Sequence, residues 1–477
     1  MKVILVPYPA QGHVTPMLQL AVALLPSGFE PVLVTLEHIH RRIKPDIEQM
    51  GHVASMVKCV VLQDGLESGG ARDFFAIEAA MEDGSMAVQL ERLVSKLDDC
   101  ENGEGVVLMV VDVLASWAME VGHRCGVPTA GFWVAMIATY QVVAAIPDLV
   151  RHGVISYSGT PRHKETKLPC LVPNQPTLTA EDLPWLIGST SCRKGRFKFW
   201  TRTMDRCRSL RWLLVNSFPE EHCTAYNNIE LNEYVVDNRP HVNTKNNNDN
   251  EDDYYPMVFP VGPLSKLAVA PTARNPSFWE EERTCLDWLD QQDPGSVIYV
   301  SFGSWVSPIG EDNMRSLALS LEASGRPFIW ALSPTWRDGL PNGYIERVAN
   351  RGKVVPWAPQ LEILQNDAVG CFVTHCGWNS TMEAIQCKKR LVCYPVAGDQ
   401  FVNCKYIVEV WKIGVRIDGF EEKEIEECLR EAMEDKEMGR RVRELCERTM
   451  GEEARLRLVK SLRGFTDDLH KIIAEDS

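Results

Sequence analysis

The chain has 477 residues, more than a single hydrophobic core usually supports, so two domains are expected. Its 50 Lys+Arg against 65 Asp+Glu give a net charge of −15. That excludes nucleic acid and anionic membrane surfaces as partners, while a local turn in an acidic protein can still bind a phosphate. Fifteen cysteines, an odd number with no C-x-x-C pair, predict free thiols in a reducing, cytoplasmic compartment. The VILV run at the N-terminus is too short for a signal segment, and no stretch has the apolar length of a membrane span.

In chain order, Val3–Val6 is a buried strand. A helix follows, with Thr15 as its cap, Pro16 in its first turn and Gly28 beyond its end. His13 is thereby expected on the first strand-to-helix turn. Pro31–Leu36 is the next strand. Residues 73–96 are helical, and Phe74, Phe75 and Met81 either line an apolar pocket or pack the core. Val106–Val111 is a strand ending at Asp112. A carboxylate there is costly unless partnered, so Asp112 either caps the next helix or holds another side chain.

Thr129–Trp133 is a further strand, and residues 181–211 form a second helical insertion carrying Trp185, Phe199 and Trp200. Its basic run from Arg193 to Arg211 reads as a solvated helix face. Leu213–Ser217 closes the first sheet. The polar, acidic segment 243–253 is a linker. Val258–Leu264 restarts the chain, and residues 280–289 are helical. Val297–Phe302 opens a second sheet, ending at Gly303-Ser304, which is either a phosphate donor or an ordinary turn. Phe328–Leu332 adds a strand. After residue 400, residues 421–434, 436–448 and 454–473 are helices. The domains expected are 1–241, a linker over 242–257, a second unit over 258–453, and a terminal helix over 454–477.

The most informative stretch is 353–400. Lys353–Pro356, Val369–Thr374 and Leu391–Tyr394 read as strands. Leu361–Leu364, Asn379–Ile385 and the segment after Asp399 read as helices. This is the rhythm of a parallel sheet wrapped by helices. The polar residues fall at strand-to-helix turns, on the rim where open α/β sheets bind ligands. His375, Gly377, Asn379 and Ser380 sit where a strand gives way to a helix, whose free N–H groups and positive dipole end suit a phosphate. Glu383 lies one turn further along the same helix face, placed to grip ribose hydroxyls. Trp357 offers a flat face for a base.

The box from Trp357 to Gln400 resembles, over its full length, the signature of plant family-1 UDP-dependent glycosyltransferases. The segment PYPAQGH (residues 7–13) resembles their N-terminus. The resemblance implies an α/β GT-B fold, with two Rossmann-like parallel-sheet domains facing across a cleft. It implies inverting transfer of a sugar from a UDP-sugar, UDP-glucose first because Gln400 ends the box. The acceptor would be a hydroxyl or carboxyl of a small lipophilic molecule, such as a phenolic, a hormone or another specialised metabolite.

Carried over by position, His13 is the general base and Asp112 its orienting partner. Trp357 stacks on uracil and the Ala358 backbone reads its edge. Gln360 and Glu383 bind the ribose, and Ser304, His375, Asn379 and Ser380 hold the diphosphate. The Trp378 backbone, Asp399 and Gln400 hold the sugar. No Asp-x-Asp occurs in the chain, so no metal is expected, and the protein is expected to act as a monomer. Val134 stands where those enzymes commonly carry Ser or Thr, and Ala397 where many carry an aromatic. Two rivals exist: a catalytically silent nucleotide-sugar binder of the same fold, and a dinucleotide-dependent oxidoreductase. No G-x-G-x-x-G follows a strand, which counts against the second.

Overall fold

The computed structural model describes residues 1–49, 56–66, 73–98, 105–163, 167–168, 176–218, 256–267, 277–303 and 309–475. Among the described residues thirteen strands fall into two sheets, every described strand pairing parallel. The first sheet contains β1 (Lys2–Val6), β2 (Glu30–Leu36), β3 (Lys58–Leu62), β4 (Val106–Asp112), β5 (Thr129–Trp133), β6 (Trp212–Val215) and β7 (Met257–Pro260). Its strand order is 3-2-1-4-5-6-7. The second contains β8 (Val297–Ser301), β9 (Phe328–Ala331), β10 (Gly352–Val355), β11 (Val369–Thr374), β12 (Arg390–Cys393) and β13 (Gly414–Arg416), in order 10-9-8-11-12-13.

The central strands are apolar at nearly every position because both faces are covered. Along β1, Val3 and Leu5 join the core under the helix Gln11–Leu24 (α1), whereas Ile4 and Val6 join the core on the opposite face. Both sheets reverse their winding between two central strands, β1 and β4 in one, β8 and β11 in the other. Crevices at such reversals, beyond the carboxyl ends of the strands, are where open α/β sheets bind ligands.

Several expectations need correction. β7 pairs with β6, so residues 257–260 complete the first sheet, although residue 258 is expected to begin the second unit. The first unit therefore extends past residue 258, and Leu213–Ser217 does not close it. Pro260 is tolerated because β7 is an edge strand with no outer neighbour needing its N–H. Residues 73–96 are two helices, Phe74–Glu82 (α2) and Ser85–Asp98 (α3), broken at Gly84 with φ 84°. Helix α1 starts at Gln11, so Thr15 is not its cap and Pro16 lies inside it. The proposed linker 243–253 lies outside the described residues, as does Ser304.

The last helix, Glu452–Glu475 (α4), crosses back to the first sheet. There Asp468 accepts a 2.8 Å hydrogen bond from the Trp212 indole, and the Phe465 ring meets those of Trp212 and Phe259.

Candidate active site

His13 lies in the first turn of α1, immediately after β1, and Asp112 ends the neighbouring β4. His13 Nδ1 is 2.8 Å from Asp112 Oδ2. The Asp112 side chain is 1% exposed and that of His13 is 19% exposed. The carboxylate thus has a partner and the imidazole retains an open edge. Asp112 Oδ1 accepts from the Leu114 N–H at 2.9 Å, so the capping role and the histidine-holding role coexist on different oxygens. With Nδ1 bound to the carboxylate, Nε2 is the nitrogen left to receive a proton. The Tyr8 ring packs 5.2 Å from the imidazole.

Pro16 has a consequence at this site. It has no N–H, so the carbonyl four residues earlier, that of Gly12, gets no α-helical donor from it. That carbonyl accepts instead from Asn379 Nδ2, at 2.8 Å. Asn379 lies at the start of the helix Trp378–Gln386, which follows β11 of the second sheet and the turn after it. That helix and the His13 helix are therefore joined by a direct hydrogen bond.

The turn itself, residues 375–377, links β11 to the helix Trp378–Gln386 (α5), whose N-terminus carries no side-chain cap. Cys376 adopts the left-handed conformation, φ 65°, which strains a residue with a Cβ. Two side chains hold it: Thr374 Oγ1 accepts from the Cys376 N–H at 3.1 Å, and Asn403 Nδ2 donates to the Cys376 carbonyl at 2.9 Å. Gly303 and Gly377 are required here, because a Cβ on either would lie 2.7 or 2.5 Å from His375 Nε2. Burial pulls the His375 imidazole down to about 4. In the ligand-free chain His375 is therefore neutral, and it can offer a diphosphate a neutral N–H but no positive charge. Its Nδ1 is buried with no hydrogen-bond partner among the described residues.

Gln360, Ser380 and Glu383 form one polar cluster. Gln360 Nε2 donates to Ser380 Oγ at 2.9 Å and to Glu383 Oε2 at 2.8 Å, while the Tyr299 hydroxyl donates to Gln360 Oε1 at 3.3 Å. Burial pushes the Glu383 carboxyl up to about 7, against the hydrogen bond from Gln360. Trp357 is half-buried, fixed by its indole N–H to Ser277 Oγ at 3.2 Å, with the Trp279 ring 6.1 Å away. Ala358 beside it is buried.

The Trp378 indole donates to the Asn216 carbonyl at 2.7 Å and stacks on Phe218, which leaves only its main chain toward the ligand turn. Asp399 Oδ2 accepts from Asn403 at 2.7 Å. Burial raises its carboxyl, opposed by Asn403, by nearby His13 and by backbone N–H groups including that of Trp378. Gln400 Oε1 accepts from the Val396 and Ala397 N–H groups at 2.9 and 2.8 Å, so its amide N–H group remains for a ligand. Val134 is buried in the first core.

Sequence reasoning missed Asn403, Tyr299, Ser277 and Asn216. Asn403 was findable, since it lies four residues beyond Asp399 on one helix. The other three reach the site only through the fold.

The arrangement defines a two-sheet α/β protein in which a helix-N-terminal, nucleotide-type turn faces a histidine–carboxylate pair. Residues 283–447 match the family described as UDP-glucoronosyl and UDP-glucosyl transferase. The chain is 53% identical over 462 residues to UDP-glycosyltransferase 82A1 of Arabidopsis thaliana, covering 95% of each chain. It is 31% identical over 461 residues to UDP-glycosyltransferase 83A1 of the same plant, covering 93% of this chain and 91% of that one. Among solved structures, Medicago truncatula UGT71G1 complexed with UDP-glucose superposes with a TM-score of 0.77 at 20% identity over 98% of both chains. Os79 from O. sativa in complex with UDP gives 0.75 at 24% identity, over 97% of this chain and 99% of that one. The protein belongs to the plant family-1 UDP-glycosyltransferases. It has their GT-B fold and is a glycosyltransferase using a UDP-sugar. Among the described residues no helix is long and apolar enough to cross a membrane.

Proposed function

We propose that the protein transfers glucose, with inversion, from UDP-glucose to a hydroxyl or carboxyl of a small lipophilic acceptor, with His13 as general base and Asp112 orienting it. The observation that carries this reading is the 2.8 Å His13–Asp112 pair on a helix tied to the ligand turn through Asn379 and Gly12. The acceptor hydroxyl gives its proton to His13 Nε2 while its oxygen bonds the anomeric carbon. The bond from that carbon to the diphosphate breaks, and UDP leaves with the electron pair. Asp112 stabilises the imidazolium that forms.

Charge on the departing diphosphate is met by the N-terminus of α5, the Asn379 and Ser380 side chains and the neutral His375. Ser304 is proposed to add a donor. Trp357 and Ala358 take the uracil, Gln360 and Glu383 the ribose, and Asp399, Gln400 and the Trp378 main chain the glucose. The Gln400 amide N–H group, freed by its own carbonyl bonds, supports a sugar contact. A metal-free mechanism accords with the absence of Asp-x-Asp, and a monomer is proposed. All twelve described cysteines are free thiols, which fits a cytoplasmic location.

Incubation with UDP-glucose and a panel of hydroxylated small molecules should give products heavier by one hexose. His13→Ala should lose turnover and keep UDP binding. A silent binder would bind UDP equally in both forms and turn over in neither.

A further inference from the structure

Arg196 lies on the helix Thr190–Cys207 (α6), in the basic run that reads as a solvated face. The structure turns it inward. Its guanidinium carbon sits 4.4 Å from the Phe74 ring centroid and 5.4 Å from that of Phe75, and its Nε is buried with no hydrogen-bond partner among the described residues. No carboxylate of the described residues pairs with it, because the neighbouring ones are committed. Asp73 caps α2 through the Ala76 N–H at 2.9 Å, Glu78 pairs with Arg202 at 2.9 Å, and Asp112 holds His13.

A half-buried cation without an anion is expensive, and two ring faces offset only part of the lost hydration. The group also lies close to the reacting end of the first sheet. Burial pushes the Tyr8 phenol up while Arg196 pulls it back, and Tyr8 packs on His13. From Phe74 an unbroken run of ring contacts passes through Phe199 and Trp200 to Trp133, in which Phe74 and Trp200 are half-buried and Phe199 and Trp133 are buried.

We propose that Arg196 binds a carboxylate of the acceptor, so that the acceptor is an aromatic hydroxy acid anchored at Arg196 while its separate hydroxyl faces His13. This rests on the transferase reading above and narrows its substrate class. Guanidinium matches a carboxylate with paired N–H donors. A carboxylate neutralised by Arg196 is a weakened nucleophile and has no proton for a base to take, so the hydroxyl is the group glycosylated. The carboxylate neither gains nor loses a bond.

The test uses the purified full chain loaded with UDP. Hydroxybenzoate, hydroxycinnamate and hydroxyphenylacetate are each offered as acid, amide and methyl ester. Binding is read by calorimetry, and transfer from UDP-glucose by hexose mass gain. At least one acid should bind about ten- to a hundredfold tighter than its neutral counterparts, the range of a charge-assisted hydrogen bond. Its product should be stable to mild alkali, as a glycoside is and an ester is not. Arg196→Gln should bring that ratio close to one with UDP affinity unchanged, and Arg196→Lys should retain part of it.

The proposal falls if neutral members bind as well as acids, if Arg196→Gln leaves the ratio unchanged, if the product is alkali-labile, or if no acid binds. In each of those cases UDP binding and hexose transfer to a neutral member would leave the transferase reading standing. A chain that bound no UDP would sink both.

Discussion

Asp112→Asn should cost about three decades in kcat while leaving UDP affinity within about twofold. In the native chain one carboxylate oxygen takes the Leu114 N–H at 2.9 Å and the other takes His13 Nδ1 at 2.8 Å. An asparagine has one oxygen for those two donors. If it faces Leu114, its NH2 group points at His13 Nδ1 and forces the imidazole proton onto Nε2, the nitrogen that must be empty to act as base. If it faces His13, a buried N–H is stranded against N–H at Leu114. In both cases the imidazolium loses its counter-charge. At about 4 Å between charge centres and an effective dielectric near 20, that interaction is about 4 kcal/mol. At about 1.4 kcal/mol per decade it amounts to about a thousandfold in rate. The assay is single-turnover transfer with a responsive acceptor, alongside a UDP titration of the same preparation. A loss below about tenfold would mean the carboxylate only packs against the histidine, and the base–orienter reading would be wrong.

Other perturbations test the donor side. Trp357→Ala should weaken UDP by about 1–3 kcal/mol, the usual worth of a base on an aromatic face; calorimetric affinities within twofold of wild type would remove uracil from that ring. Glu383 is ionised only above about pH 7 because burial raises it. UDP affinity should therefore be full above that pH and weaken as pH falls through it. Glu383→Gln should bind about ten- to a hundredfold more weakly at alkaline pH and show no such step, whereas a step that persisted in the variant would assign it to another group. Pro16→Ala restores an N–H that competes for the Gly12 carbonyl. It should raise the melting temperature, as removing an interior helical proline does, and lower kcat severalfold as Asn379 loses its acceptor; an unchanged kcat would show the link to be incidental.

Legibility in the sequence followed burial and sequence distance. β1, β4, β8 and β11 are central, covered on both faces and continuously apolar, so they stand out. β3, β7 and β13 lie toward sheet edges. Met257–Pro260 is half-buried throughout and Gly414–Arg416 is three residues long, too little pattern to separate from loop. The polar strand-to-helix turn after β11 was readable because His375, Asn379, Ser380 and Glu383 lie within nine residues of sequence and keep helical spacing. Asn379 and Gly12, by contrast, are 367 residues apart, and Trp378 and Asn216 are 162 apart; nothing local announces such pairs. Arg196 was misread for the same reason. A run of like charges on a helix is usually solvated, and only the packing of α2 against α6 turns this one onto two phenylalanines.

The parallel sheets explain why so few residues need to be long-range partners at all. With every described strand pairing parallel, each sheet has one rim of carboxyl ends, and each winding reversal opens one crevice on that rim. His13 lies after β1 and Asp112 at the end of β4, while the 375–377 turn follows β11 beside the end of β8. Each half thus builds its own portion of the site from its own strand order. The remaining requirement is to hold one crevice against the other at hydrogen-bonding precision. A proline in the first helix exposes a carbonyl, the side chain of Asn379 takes it, and the indole of Trp378 takes the carbonyl of Asn216 one residue away. Two of the contacts that dock the halves are therefore made by Trp378 and Asn379, the first two residues of the helix that follows the 375–377 turn. A movement that broke these two bonds would displace the 375–377 turn from His13, which on the proposed mechanism would couple donor binding to the geometry of proton transfer.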